Sequence, residues 1–195
     1  FIDALASLAE IYVNEAFPSL HMYEEASTCG VARTLPAFAG FHLLKEVEHL
    51  GQVIEDPRRP LVLIMSGAKM ETKIPVIERF LDIADDILLG GCIANTFIAA
   101  RGFHVGKSKY EESYVMEAQE FMLESEKEEK ADIHVPRDVV VATRALEDAE
   151  SIDLPAEDIE GDMSIFDIGK VTVQRYCALI QKAGTVIWNG PLGLC

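Results

Sequence analysis

The sequence predicts an α/β fold built on a doubly wound parallel sheet. Two observations carry this. From residue 61 onward, short apolar runs alternate with stretches of helical periodicity, the pattern of parallel strands joined by helical crossovers. The runs also lack polar alternation, as strands covered on both faces do.

The elements follow in order. Ile2, Leu5, Leu8 and Ala9 keep helical spacing, and Ile11-Tyr12-Val13 reads as a short buried strand. Residues 14–35, with Pro18, Ser19, Ser27, Thr28 and Gly30, read as loop. From Phe41 to Glu55, Leu44, Val47, Leu50 and Ile54 recur at helical spacing. Pro57 and Pro60 end that helix, since proline lacks the amide donor and disfavours α geometry just before itself. The strand Leu61–Met65 follows, then a helix over 72–84, the strand Asp86–Leu89 and a helix over 93–100. A long acidic helix is expected over 112–129, with Glu124–Lys130 as a solvated face. Strands over 133–135 and 139–141, a helix over 171–183 and a strand over 185–188 complete the series.

Composition narrows the function. The net charge of −16, from 33 acidic and 17 basic residues, argues against nucleic acid and anionic membranes as partners. No apolar run approaches the roughly 18 residues of a membrane span. Cys29, Cys92, Cys177 and Cys195 stand far apart and form no CxxC, which fits a reducing cytoplasm.

In such sheets ligands bind beyond the carboxyl ends of the strands. Three predicted strands end in glycine turns, Ser66-Gly67-Ala68-Lys69, Gly90-Gly91 and Asn189-Gly190-Pro191. Glycine lets the backbone approach a ligand, and a following helix N-terminus favours anions. Lys69 and Lys73, four apart near a helix start, repel each other unless an anion sits between them. Unbound βα turns and solvated lysines are the plainer alternatives. Gly102–Ser108 resembles a P-loop but has three residues between its glycines where four are needed, and it follows a helix. His21, His42, His49, His104 and His134 show no metal spacing, and no metal ligand is assigned. Trp188 is expected to pack in the core or wall the crevice.

Longer stretches then resemble one family. "RPLVLIMSGAKMETKIPVIERFL" is similar to the phosphoglycerate kinase segment RPxxxILGGAKxxDKxxxIxxLL. "DDILLGGCIANTFIAARGFHVGKS" resembles LLIGGGMAxTFLxAxGxxIGxS, and "TVIWNGPLGLC" resembles VWNGPMGVFE. "LASLAEIYVNEAFPSLH" and "KEVEHLGQVIEDPRRP" resemble segments before and across the family's domain junction.

The resemblance implies Rossmann-like lobes on either side of a hinge, in a three-layer αβα arrangement incomplete at both ends. Residues 1–40 would be the end of the substrate-binding lobe, 41–57 the interdomain helix and 58–195 most of the nucleotide-binding lobe. The implied reaction transfers a phosphoryl group between 1,3-bisphosphoglycerate and Mg-ADP, giving 3-phosphoglycerate and ATP in glycolysis. It implies a cytoplasmic monomer, with Mg2+ carried on ADP or ATP. Lys69 would stabilise the transferred group. Gly67, Lys73, Gly90, Gly91 and Asn189 would bind nucleotide, and His21 would face the glycerate. Several positions depart from the pattern: Met22 replaces an arginine that binds glycerate phosphate, Ser66 and Cys92 replace glycines, Thr72 an aspartate and Lys170 a proline. The basic patch, the glutamate after WNGPxGVF and a later GGD[ST] segment lie outside these residues. The isolated chain is therefore expected to turn over weakly or not at all. A non-catalytic nucleotide-binding module or pseudoenzyme is the alternative.

Overall fold

The computed structural model describes residues 1–146 and 149–194. They gather into two compact units, Phe1–Asp56 and Pro57–Cys195.

In the first unit, helix α1 (Ile2–Ala6) stops earlier than its apolar spacing suggests. Ser7 Oγ donates to Ala4 O at 2.8 Å there. Strand β1 (Tyr12–Asn14) pairs in parallel with β2 (Ala37–Ala39), a strand that the sequence does not announce. The 14–35 stretch holds three short helical turns. Helix α2 (Phe41–Glu55) begins at Gly40, which has no side chain to cap it. The Glu15 carboxylate does so instead, accepting from His42 N at 2.9 Å and Leu43 N at 3.1 Å. Leu44, Val47, Leu50 and Ile54 keep the expected helical spacing, and each is 44–48% exposed.

The second unit is built on four parallel strands in the order β5-β4-β3-β9. These are β3 (Leu61–Met65), β4 (Asp86–Leu89), β5 (Asp132–His134) and β9 (Thr185–Asn189). Helices α3 (Ile74–Ile83), α4 (Gly91–Ala100), α5 (Val115–Ser125) and α6 (Lys170–Ile180) flank the sheet. All five residues of β3 are at most 1% exposed, so both of its faces are covered, as its unbroken apolar run predicts. Val62, Ile64 and Leu88 pack with Tyr176, Leu179 and Ile180 of α6. The Tyr176 hydroxyl sits between two carbonyls, 2.8 Å from Leu89 O and 2.6 Å from His134 O. Burial pushes its phenol pKa up.

Beside this sheet lies a second one, antiparallel, in the order β7-β6-β8. Its strands are β6 (Asp138–Ala142), β7 (Ile152–Pro155) and β8 (Ser164–Ile168). The 139–141 run is therefore the centre of a separate sheet, not a further parallel strand. The acidic helix is also shorter than its pattern: a 3-10 turn covers Glu112–Tyr114, and α5 stops at Ser125. Trp188 is 64% exposed, not core. Among the described residues β9 pairs only with β3, so it is an edge strand and leaves its outward side chains uncovered.

Candidate functional site

The order β5-β4-β3-β9 places the first strand of the lobe, β3, in the middle, with its successor β4 on one side and β9 on the other. The direction of winding reverses between β3 and β9, and a crevice opens beyond the carboxyl ends at such a point. Ser66-Gly67 and Asn189-Gly190 leave the sheet there, with Gly90-Gly91 beside them. The three glycine turns that the sequence singles out therefore share one edge.

Hydrogen bonds lace these turns together. Ser66 N donates to Asn189 O at 2.9 Å, and Gly90 N to Met65 O at 3.0 Å. Gly91 N donates to Leu192 O at 2.9 Å, and Ile93 N to Gly67 O at 3.3 Å. Ser66, standing where the family pattern has glycine, donates its hydroxyl to Pro191 O at 2.5 Å, a bond that glycine cannot make. The close approach explains two of the glycines. Gly91 has φ +58°, and a Cβ there would stand 2.6 Å from Ser66 Oγ. Gly190 has φ +86°, and a Cβ there would stand 2.8 Å from Ser66 O. Both conformations disfavour side chains, and both spaces are filled.

The two lysines reach this edge differently. Helix α3 starts at Ile74, two residues later than the sequence suggests, so Lys73 is its N-cap and Lys69 lies in the preceding loop. Lys73 Nζ donates to Asn189 Oδ1 at 2.5 Å, which joins two of the predicted nucleotide contacts across the crevice. Lys69 is exposed, and its ammonium has no partner among the described residues. The loop carrying both is held by Glu111, whose carboxylate accepts from Met70 N. Glu111 is placed in turn by its own N–H, which donates to Thr96 Oγ1 at 3.2 Å, on a residue with no exposed surface. Sequence reading did not find Glu111, because nothing at position 111 signals a partner 41 residues away.

Behind the turns lies a cavity of about 610 Å3. Gly67, Gly91 and Cys92 line its sheet-edge side, and Ile98, Val139 and Leu192 give it apolar walls. Burial pushes the Cys92 thiol pKa up, so the residue replacing the third glycine of the pattern is a neutral wall. Lys107 of the P-loop-like stretch lines the cavity as well, but its ammonium pairs with Asp162 at 2.8 Å. Ser108 Oγ accepts from Ile165 N at 2.8 Å, so the stretch ties the second sheet to α4 rather than cradling phosphate.

The start of α6 is occupied. Asp138 accepts from Val171 N at 2.8 Å, from Thr172 N at 2.7 Å and from the Thr172 hydroxyl at 2.6 Å. Burial alone would raise its pKa, but these hydrogen bonds outweigh that and hold the carboxyl below its usual range.

Other candidates lie apart. His21 is in the first unit, exposed in the turn after Phe17–Ser19, with Met22 next to it. His42 and His49 are exposed on α2. His134, unremarkable by spacing, forms a polar cluster with Asp86 and Asp132. Its Nε2 is 2.6 Å from Asp86 Oδ1 and its Nδ1 is 2.9 Å from Arg175, so protein partners take both ring nitrogens. Strand pairing makes this cluster, and no sequence spacing foretells it.

Comparison with known proteins identifies the family. The family profile described as phosphoglycerate kinase matches residues 1–195. The phosphoglycerate kinase of Thermomicrobium roseum is 44% identical over 194 residues, covering 100% of this chain and 49% of its own length. That of Finegoldia magna is 41% identical with the same coverage. The solved structure of phosphoglycerate kinase from Coxiella burnetii superposes with a TM-score of 0.87 at 39% identity, over 98% of this chain and 49% of that one. The chain thus spans about half the length of the relatives it matches. Matched along its whole length, it belongs to the phosphoglycerate kinase family.

Proposed function

We propose that this chain forms the nucleotide half of an enzyme that moves a phosphoryl group between 1,3-bisphosphoglycerate and Mg-ADP. One observation carries the reading most: Lys69 and the Lys73–Asn189 pair stand at the same sheet edge as three glycine turns, at the switch point of the strand order. Nucleotide phosphates would lie along Gly67, Gly90 and Gly91, where backbone can approach closely. Lys73 and Asn189 would exchange their mutual bond for contacts to the nucleotide. In the transfer, a terminal oxygen of ADP attacks the acyl phosphate and 3-phosphoglycerate leaves as its carboxylate. The Lys69 ammonium, exposed and unpaired, would offset the charge spread over the transferred oxygens. Mg2+ would enter with the nucleotide, as part of the substrate. His21 would face the glycerate. The reading carries with it a monomer acting in glycolysis in the cytoplasm. No described helix is long and apolar enough to cross a membrane.

The test is ATP formation from 1,3-bisphosphoglycerate and Mg-ADP, alongside calorimetric titration with ADP. The purified protein should bind ADP, and Lys73→Met should weaken binding about tenfold, the scale of one charge-assisted bond. Lys69→Met should lower turnover by a larger factor than it lowers affinity. Equal behaviour of both variants and the unchanged protein sinks the assignment. Little turnover is expected of the 195-residue chain alone, since it spans half of its relatives.

A second reading has one observation in its favour. Met22, 48% exposed, stands where the resembling motif has an arginine. In a version extended to the full length of its relatives, a non-catalytic nucleotide-binding protein would bind ADP without turnover, and Met22→Arg would restore nothing. A large gain on Met22→Arg would favour the enzyme.

A further inference from the structure

The turn Asn189–Leu192 is held by each of its carbonyls. Asn189 O accepts from Ser66 N at 2.9 Å, and Gly190 O from the Trp188 indole N–H at 2.7 Å. Pro191 O accepts from the Ser66 hydroxyl at 2.5 Å, and Leu192 O from Gly91 N at 2.9 Å. Ser66 thus holds the turn twice, once from its main chain and once from its side chain. Any residue but proline could make the first bond. The second needs a side-chain donor, and the glycine of the family pattern has none. Ser66 has no exposed surface, so solvent does not compete for its hydroxyl.

The bond closes a gap that the sheet leaves open. The pairing of β3 with β9 ends at Met65 opposite Asn189. Past that point the chains part: Ser66 leads to the lysine loop, and Gly190 turns away with φ +86°. The Ser66 hydroxyl spans the two turns just there. Asn189 stands at the root of the tethered turn, with its Oδ1 at Lys73 Nζ. A turn without slack keeps Asn189 in one place before a ligand arrives, and a group already in place gives up less freedom on binding. We infer that Ser66 is a positioning residue: its hydroxyl, through Pro191, holds the Asn189 amide where a nucleotide meets it. The inference rests on the nucleotide reading above and adds to it a residue that itself touches no ligand.

The test is ADP affinity by calorimetric titration, arranged as a double-mutant cycle. Ser66→Ala removes the hydroxyl and should weaken ADP binding about fivefold, the scale of one buried hydrogen bond. In protein that already carries Asn189→Ala, the same change should weaken ADP by less than about twofold, because the group it positions is gone. Ser66→Gly, the residue of the family pattern, should repeat both results, so a poorly folding Ser66→Ala does not block the test. Full affinity in Ser66→Ala overturns the inference and leaves the nucleotide reading standing. Equal weakening with and without the Asn189 amide overturns it too, since a hydroxyl that only stabilised the fold would act alike in both. Failure of the unchanged protein to bind ADP defeats the nucleotide reading and the inference together.

Discussion

Helices α4 and α6 begin alike and are finished differently. Each follows a strand through a glycine N-cap in extended conformation, Gly90 (φ −148°, ψ 178°) and Gly169 (φ −79°, ψ 172°), and neither cap has a side chain to offer. At α6 the first amides go to carboxylates: Asp138 takes Val171 N and Thr172 N, and Asp153 takes Lys170 N at 3.2 Å. At α4 they go to neutral carbonyls of the neighbouring turns, Leu192 O for Gly91 N and Gly67 O for Ile93 N. A helix start carries about half a positive charge. At α6 the protein's own anions already answer it, and the result is a fixed joint between the two sheets. At α4 that charge adds to the lysines at the sheet edge, and it is there that the proposed function seats the phosphates of a nucleotide.

Changes at each start should separate these roles. The largest effect is expected from Asp138→Ala, which strips two amides and a buried hydroxyl of their partner and should cost about 3 kcal/mol in urea unfolding. A loss below about 1 kcal/mol would mean that α6 does not need its carboxylate. Gly91→Ala should come next, at about 2 kcal/mol, because it combines positive φ with a contact of 2.6 Å. It should also reduce ADP binding, whereas Asp138→Asn should leave binding alone. Glu111→Ala should cost about 1.5 kcal/mol by freeing Met70 N, and Glu111→Gln, which keeps an acceptor, should recover most of that. If Gln does no better than Ala, the charge matters and not the hydrogen bond.

The smallest effect is the pH dependence of Asp138. Its folded pKa lies below the unfolded value, so its stabilisation is complete above the unfolded carboxylate pKa. It is lost as pH falls through the folded pKa. Unfolding free energy against pH should therefore drop on the acid side, with a shallower drop in Asp138→Asn. Identical slopes would assign the acid sensitivity to other carboxylates.

The parallel sheet was legible chiefly through β3, which is buried on both faces and writes that burial as an unbroken apolar run, Leu61–Met65. The second sheet was not. Ile152-Asp153-Leu154-Pro155 mixes charge and proline into an exposed edge strand, and its partner β6 lies 11 to 17 residues before it along the chain, Val141 opposite Ile152 and Asp138 opposite Pro155. The glycine turns were legible because a steric need can be met by one residue type only. Glu111 and Asp138 were not, since each works through a main-chain group distant in sequence. Trp188 was misjudged because hydrophobicity says that a side chain can be buried, while only strand order says whether anything covers it.

That misjudged residue has a practical consequence. Trp188 is the sole tryptophan of the chain, and its indole N–H donates to Gly190 O at 2.7 Å, astride Asn189. Its fluorescence is thus a label-free gauge wired to the WNGP turn. A ligand that draws Asn189 away from Lys73 should register as a change in emission without any added dye.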